Sequence, residues 1–226
     1  TGVGKSTQVP KLVLYGLKAF YYKNDGRVIC TQPRKPPTEG NPTRISDEMG
    51  VPIKKRIGNI DFQTNNYNIQ FKHKSKSHMD EREQYFLRVV TDGTFLDVLK
   101  QNPFLKKSHI RRGETMTSSD NIFDVAIIDE SHEHNKNMDL ILTLIKKTLY
   151  VNNSVKLIIV SATMDDDEPI YRRYFRCIND NQMFPIDRYL EENNLDRINV
   201  DRRMHLSPPG ESTMFKIDES IKPGKD

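Results

Sequence analysis

The sequence predicts an α/β fold: a mainly parallel sheet with helices on both faces. Three segments, 27–33, 123–130 and 155–163, each contain a continuous apolar run that ends in polar residues. Between the last two, Met138–Leu149 places apolar residues at helical spacing. Apolar strands that alternate with amphipathic helices are typical of a parallel sheet covered on both sides. The pattern therefore predicts a doubly covered sheet.

The remaining elements follow from local composition. We expect a helix after Gly4, and then a Pro- and Gly-rich loop that gives way to a short helix from about Pro42 to a stop at Gly50. Segment 68–78 predicts a strand that runs into a basic surface turn. Segment 86–99 predicts a strand, a turn at Asp92-Gly93 and a helix, and the polar segment 111–121 predicts an exposed loop.

The predicted strands place several loops together. Parallel strands end at the same edge of their sheet, and ligands bind outside that edge. The loops after Pro33, Thr91, Ile128 and Val160 should therefore lie side by side. Functional residues are expected at this edge.

Composition limits the classes of protein. The chain has 226 residues, enough for a full core, and 29% of them are charged, which predicts a soluble protein. No apolar run is long enough to cross a bilayer, no secretory signal is present, and no membrane partner is expected. Two cysteines, Cys30 and Cys177, cannot form a disulfide framework or a four-cysteine zinc site, and they suit a reducing, intracellular compartment.

Charge is unevenly distributed along the chain. Residues 1–112 contain 21 Lys/Arg and 10 Asp/Glu, whereas residues 113–226 contain 14 and 21. A basic half can attract a polyanion such as nucleic acid. A solvated charged face explains the composition equally simply.

The chain opens with the end of a phosphate-binding motif. Gly4-Lys5-Ser6 matches the last part of G-x-x-x-x-G-K-[ST], and the first glycine of that motif would fall just before Thr1. In such loops backbone N–H groups and a helix N-terminus surround phosphates, while the lysine adds a point charge. The alternative is a glycine-rich turn that opens an ordinary helix. The truncated start also predicts that the chain is a fragment or an excised domain.

A second cluster of polar residues follows the apolar run 125–128. Asp129 and Glu130 are placed to hold Mg²⁺ and to polarise an attacking water. His132 and His134 suggest zinc instead, but their spacing lacks the H-E-x-x-H pattern and no further ligands are indicated. A charged loop after a strand is the simplest alternative.

Taken in order, the segments TGVGKSTQ, TQPR, TDG, IIDESHEH and VSAT resemble the first RecA-like domain of DEAH-type superfamily 2 helicases. Ser131 stands where the family usually has alanine. The segments QPRKPPTEGNPTRISDEMG and RMHLSPPGEST are most similar to the viral branch. That branch includes the poxviral nucleoside triphosphate phosphohydrolase II and related helicases of large nucleocytoplasmic DNA viruses. The resemblance extends from Thr1 to about Phe175.

The resemblance implies an ATP site and a hydrolysis site. The implied ATP-binding residues are Gly2, Val3, Gly4, Lys5, Ser6 and Thr7, with Arg44 stacked on the adenine. The implied Mg²⁺ ligands are Ser6 and Asp129, and the implied catalytic residues are Lys5, Asp129, Glu130 and His132. His132 would also link the site to a second RecA-like domain. Between Arg34 and Arg44 the sequence departs from the cellular pattern, so the placement of Arg44 depends on a local backbone that can differ.

The resemblance further implies residues that act on nucleic acid. Arg34, Thr91 and Gly93 would hold its backbone, whereas Ser161 and Thr163 would couple hydrolysis to strand movement. The simple alternatives are a surface arginine, an ordinary turn and a helix cap. His134 is interpreted as a surface histidine.

The implied function is that of an ATP-dependent RNA helicase. Residues 1–176 would form the first RecA-like domain, truncated at its start, and residues 177–226 would lead toward a second RecA-like domain. The expected partner is RNA, or DNA, that is single-stranded or has a single-stranded tail. Alternatives are a DNA helicase or translocase of the same superfamily, a non-catalytic nucleic-acid-binding scaffold, and a zinc-binding interaction module. Without the second domain's arginines, weak hydrolysis is expected. The viral resemblance implies host cytoplasm or virion.

Overall fold

A computed structural model describes residues 4–17, 27–51, 53, 56–57, 60–61, 68–79, 85–111, 114–152, 154–162, 164–176 and 178. Residues 56–57, 60–61, 108–111, 114–120 and 164–166 are described by their backbone alone. Several predictions lie outside the described residues: those for Gly2, Val3 and Thr163, and nearly all of segment 177–226.

The described residues form helices and strands in the following order. The elements are α1 (Lys5–Gly16), β1 (Val28–Gln32), α2 (Lys35–Met49), β2 (Arg56–Ile57), β3 (Ile60–Asp61), β4 (Asn68–His73), β5 (Lys76–His78), β6 (Tyr85–Thr91), α3 (Asp92–Gln101), β7 (Lys106–Arg111), β8 (Glu114–Asn121), β9 (Val125–Ile128), the 3₁₀ turn Ser131–Glu133, α4 (Lys136–Val151), β10 (Lys156–Ile159) and α5 (Met164–Tyr174).

The central sheet has the strand order β10-β9-β1-β6-β4-β5. Its strands are parallel apart from β5, which pairs antiparallel with β4. Two short antiparallel pairs, β2-β3 and β7-β8, lie outside it. The prediction of a mainly parallel α/β sheet is confirmed.

Alternate residues of each central strand face opposite cores. Ile29 of β1 packs with buried residues of α3 and α4, whereas its neighbours Val28 and Cys30 pack with Leu14 of α1 and Ile45 of α2. Strands with both faces buried need apolar side chains at successive positions, which explains the continuous apolar runs. Helices therefore cover both faces, as predicted.

The register brings the strand ends to one edge. Gln32 at the end of β1 is opposite Thr91 at the end of β6, and Thr31 is opposite Ile128 of β9. Ile128 is in turn opposite Ile159 of β10. The loops predicted to lie together at the carboxyl edge therefore do so.

The predicted start of α2 was wrong. The helix begins at Lys35, not near Pro42, and ends at Gly50 as expected. Pro36 and Pro37 lie in its first turn, where backbone N–H groups have no helical partner, so the proline rings cost no hydrogen bond. The first prolines therefore open the helix instead of excluding it.

Two predicted irregular segments are regular. Asp92 and Gly93, predicted as a turn, are the first residues of α3, which follows β6 directly. Segment 111–121, predicted as an exposed loop, contributes to the antiparallel pair β7-β8. In contrast, the basic turn predicted within 68–78 is present at Lys74-Ser75 and joins β4 to β5.

Candidate functional site

Gly4 and Lys5 lie at the start of α1, at the carboxyl edge of the sheet. Gly4 has φ 72°, a left-handed conformation that glycine adopts without Cβ strain. Its carbonyl accepts hydrogen bonds from the N–H groups of Thr7 and Gln8 at 3.0 and 2.8 Å. The Lys5 ammonium donates to the Ser161 carbonyl at 2.8 Å. The first turn of α1 is thereby joined to the segment after β10.

Asp129 is buried directly after β9, with 1% of its surface exposed. Its Oδ2 accepts from Gln32 Nε2 at 2.7 Å, and its Oδ1 accepts from the N–H of Glu130 at 2.9 Å. Each oxygen thus has a donor, which fixes the plane of the carboxylate. Sequence reasoning missed Gln32, although its position at the end of β1 places it on the same edge.

Glu130 and the 3₁₀ turn after it adopt an uncommon backbone. Glu130 has φ 55° and His134 has φ 39°, so two non-glycine residues in the left-handed region flank Ser131–Glu133. The N–H of buried Ser131 donates to the Val160 carbonyl at 3.0 Å. Strained residues of this kind persist only where surrounding contacts determine the conformation.

His132 joins Glu130 to the segment after β10. Its Nδ1 accepts from the N–H of Ala162 at 3.4 Å, and its Nε2 lies 3.3 Å from Glu130 Oε2. Because Nδ1 accepts, a neutral ring carries its proton on Nε2 and donates it to the carboxylate. Within the described chain His132 therefore contacts the Ser161–Thr163 segment, a link that the sequence did not predict.

Two clefts open at the carboxyl edge. The Ser6 cleft, of about 320 Å³, is lined by Ser6, Gln32, Pro33, Arg34, Pro37, Asn41, Glu130 and Glu133. The Gly93 cleft, of about 440 Å³, is lined by Pro33, Lys35, Lys74, Thr91, Asp92, Gly93, Glu133, Asn135, Lys136 and Asn137. Ser6 and Glu130, expected to serve nucleotide, line the first cleft together with Arg34, whereas Thr91 and Gly93, expected to hold nucleic acid, line the second. Pro33 and Glu133 line both.

Arg34 lies at the residue before α2 and points outward. Its side chain is 70% exposed, and its Nη2 lies 3.0 Å from Glu133 Oε1. Glu133 was assigned no chemistry from the sequence. The structure places it between the two clefts, in contact with a residue expected to hold nucleic acid.

Thr91, Asp92 and Gly93 form the start of α3 beside the second cleft. Thr91 Oγ1 and Thr94 Oγ1 are 3.1 Å apart. Burial raises the pKa of the Asp92 carboxyl, although a hydrogen bond from Asn135 acts in the opposite direction. Asn135 Nδ2 donates to Asp92 Oδ2 at 2.9 Å, and Asn135 Oδ1 caps α4 by accepting from Met138 N–H at 3.0 Å. The TDG segment and the loop after Glu130 are therefore joined.

Arg44 lies on the third turn of α2. Its Nε donates to Glu48 Oε1 at 2.7 Å, and Glu48 also pairs with Lys11 of α1. Hydrogen bonds from Lys11 and Arg44 lower the pKa of the Glu48 carboxyl. Pro37 and Asn41, seven and three residues before Arg44, line the Ser6 cleft, so Arg44 lies on the same helical face.

Ser161 follows β10, and its hydroxyl donates to Asp167 of α5 at 3.3 Å. This bond joins Ser161 to a helix side chain and differs from a helix cap, in which the hydroxyl accepts from a backbone N–H. His134 Nε2 lies 3.9 Å from the other Asp167 oxygen, and its side chain is 60% exposed. His134 is thus a surface residue, as interpreted from the sequence.

The donor atoms at this edge suit a hard cation. Among residues 4–178 that the structure describes, no group of three or more His, Cys, Asp or Glu side chains could hold a metal ion. The zinc hypothesis therefore gains no support in that part of the chain. Mg²⁺ keeps its waters and takes one or two carboxylate or hydroxyl oxygens, which Asp129 and Ser6 can supply.

None of the helices in the described part of the chain combines the length and apolar character needed to cross a bilayer.

Comparison with known proteins identifies helicase relatives. The chain is 50% identical over 230 residues to "Putative ATP-dependent RNA helicase R366" of Acanthamoeba polyphaga mimivirus, covering 96% of this chain and 13% of that protein. It is 27% identical over 175 residues to "Probable ATP-dependent RNA helicase DHX35 homolog" of Caenorhabditis elegans, covering 77% and 19%. It is 28% identical over 239 residues to "Putative ATP-dependent RNA helicase YLR419W" of Saccharomyces cerevisiae, covering 100% and 14%.

These relatives are much longer proteins. The chain spans between 13% and 19% of their length. No protein-family model matches the chain.

Proposed function

We propose that the chain, as a member of the DEAH-type helicase family, is the nucleotide-binding and hydrolysing motor domain of an ATP-dependent RNA helicase. The observation that carries this proposal is the convergence of Lys5, Asp129 and Glu130 at one sheet edge. They come from chain positions more than 120 residues apart and are joined there through Gln32, His132 and Ser161. Convergence of an ammonium, a buried carboxylate and an exposed carboxylate is what phosphoryl transfer to water requires.

ATP is the proposed substrate of the Ser6 cleft. The residues Gly2, Val3, Gly4, Lys5, Ser6 and Thr7 would surround its phosphates with backbone N–H groups and the Lys5 charge. Lys5 now donates to the Ser161 carbonyl at 2.8 Å, so phosphate binding would exchange that acceptor for an anionic one. Such an exchange would make Ser161 and Thr163 sensitive to nucleotide. Arg44, on the helical face that lines this cleft, would stack on the base.

Asp129 and Ser6 are the proposed Mg²⁺ ligands. When bound, the ion would neutralise charge on the phosphates. Gln32 holds the buried Asp129 carboxylate in one orientation. The orientation of Asp129 would therefore be set before Mg²⁺ binds.

Glu130 is the proposed general base. Its side chain is 37% exposed and lines the same cleft as Ser6, so it can reach a water. The hydrogen bond from His132 orients its carboxylate, and the Ala162 N–H orients the histidine. A shift of the Ser161–Thr163 segment would thereby change the position of His132 and the orientation of Glu130. His132 would also contact a second RecA-like domain.

RNA is the proposed partner of the Gly93 cleft. Lys35, Lys74 and Lys136 line it together with the start of α3, so cations and backbone N–H groups face the same space. Arg34, Thr91 and Gly93 would hold phosphates without reading bases, which predicts strong dependence on salt. Residues 1–176 are the proposed extent of the RecA-like domain, and residues 177–226 the connection to the next.

The proposal is tested by nucleotide turnover in the intact protein with and without single-stranded RNA. We expect RNA to stimulate ATP hydrolysis, and Lys5→Ala to weaken ATP binding by roughly 10- to 100-fold because a charged hydrogen-bonding group is lost. Unwinding of matched RNA and DNA duplexes with single-stranded tails would assign the substrate. Absence of ATP hydrolysis under all conditions would favour a non-catalytic scaffold and contradict the proposal.

A further inference from the structure

The turn Ser131–Glu133 is held by neighbours on different elements. Its first residue donates to the Val160 carbonyl, and its last residue, Glu133, pairs with Arg34 before α2. Glu130 and His134 on either side have positive φ, so the turn depends on these external contacts for its conformation. A change in one contact can therefore be transmitted to Glu130.

The Arg34–Glu133 pair lies where the two clefts meet. Glu133 lines both the Ser6 cleft and the Gly93 cleft, and 26% of its side chain is exposed. Arg34 is 70% exposed and accessible to a large ligand. The pair thus joins the turn that follows the proposed base to the surface that would receive nucleic acid.

Carboxylate and phosphate compete for the same partner. An arginine guanidinium binds either anion through the same planar set of N–H donors. An exposed ion pair is weak because water screens it, whereas a nucleic-acid backbone presents a dense row of phosphates. A phosphate in contact with Arg34 would displace Glu133 and would also repel it.

We propose that Glu133 is a positioning residue that competes with a nucleic-acid phosphate for Arg34, and that this exchange couples nucleic-acid binding to the conformation of the turn after Glu130. The inference rests on the proposed contact between Arg34 and nucleic acid. Linkage requires reciprocity: if binding breaks the pair, removing the pair must favour binding.

The test is a double-mutant cycle in the intact protein, with a single-stranded RNA oligonucleotide as the probe. Glu133→Gln keeps the size of the side chain and removes its charge. We expect it to tighten RNA binding roughly two- to fivefold when Arg34 is present, the range given by the strength of an exposed pair. In an Arg34→Gln background the same change should have no effect. Glu168→Gln on α5, whose partner is Arg172 of its own helix, is the charge-matched control.

The alternative outcomes separate the two proposals. Equal tightening by Glu133→Gln in both backgrounds would mean general electrostatic repulsion, and no tightening in either would mean a purely structural pair; both overturn the inference. If Arg34→Gln alone leaves RNA affinity unchanged, the proposed contact of Arg34 fails first, and the inference fails with it.

ATP turnover is a second measurement. Its stimulation by RNA would not change if the Arg34–Glu133 pair had only a structural role. If breaking the pair mimics nucleic acid, Glu133→Gln should raise RNA-free ATP hydrolysis and lower the ratio of RNA-stimulated to RNA-free turnover at least twofold. Rates that rise or fall together, with an unchanged ratio, would contradict the proposal.

Discussion

The two clefts at the carboxyl edge are built differently. Next to the Ser6 cleft the candidate groups are fixed by short hydrogen bonds: buried Asp129 accepts from Gln32, which lines the cleft, and Lys5, beside Ser6 in the chain, donates to the Ser161 carbonyl. The Gly93 cleft instead presents exposed cations, among them Lys35 and Lys74. The first arrangement suits chemistry that needs groups held within a fraction of an ångström. The second suits a polyanion, since binding through charge tolerates mobile side chains.

The contrast explains where substitutions should matter most. Substitutions around the Ser6 cleft, apart from Arg34, should mainly affect turnover, and those in the Gly93 cleft should mainly affect RNA affinity. Glu133 lines both clefts, so its substitution should change how strongly RNA binding affects turnover.

The largest effect is expected for Glu130→Gln in the intact protein. The amide keeps the shape of the side chain but cannot accept a proton from water. Turnover should fall about 10²- to 10⁴-fold, the usual contribution of a general base. ATP affinity should stay within about twofold. Steady-state hydrolysis and equilibrium binding of ATP measure the two quantities separately.

Glu168→Gln serves as the control for removal of one carboxylate, and it should leave turnover unchanged. A Glu130→Gln protein that hydrolyses ATP at the normal rate would assign the base elsewhere and weaken the contrast between the clefts.

A smaller effect is expected for Gln32→Met. The thioether fills similar space but donates nothing to Asp129, so the carboxylate loses the partner that orients it. Loss of such an outer partner typically costs about 10- to 100-fold in metal affinity or activity. Turnover measured across a Mg²⁺ titration should therefore show a lower maximum or a higher Mg²⁺ requirement.

Gln70→Met is a matched control within the same sheet. Gln70 is equally buried, but it accepts from Arg88 in the middle of the sheet, away from the edge. Its loss should lower the free energy of unfolding and leave the Mg²⁺ dependence unchanged. Equal Mg²⁺ profiles for the two variants would remove Gln32 from the site.

The sequence predicted the sheet and its functional edge because both depend on local patterns. Apolar runs identify strands buried on both faces, and polar residues immediately after them mark the carboxyl ends. Asp129 and Glu130 follow β9 in this way. Their placement near Lys5 then follows from parallel topology and needs no knowledge of side-chain contacts.

Other features depend on contacts between distant segments. The partners of Gln32 and Glu133 carry no local signal: Gln32 bonds to a residue 97 positions away, and Glu133 pairs with Arg34 across the sheet edge. The helix start at Lys35 was missed because prolines were taken as breakers, although they are tolerated in a first turn. Similarly, the turn predicted at Asp92-Gly93 is helical because β6 leads directly into α3.

The smallest effect is expected for Gly93→Ala, and it tests the exposed cleft. Gly93 is the second residue of α3 and its φ is not positive; an added Cβ would meet Asn137 Nδ2 at 3.6 Å, an ordinary contact. Alanine should therefore raise the free energy of unfolding by roughly 0.4–1 kcal/mol, because the unfolded chain loses freedom. If nucleic acid approaches the start of α3 closely, the methyl group should weaken RNA binding severalfold.

Gly40→Ala in α2, where an added Cβ meets nothing within 4 Å, should give the same stabilisation without loss of RNA affinity. Chemical denaturation and oligonucleotide binding measure the two effects, and equal RNA affinity for both variants would show that close contact with RNA does not require glycine at position 93.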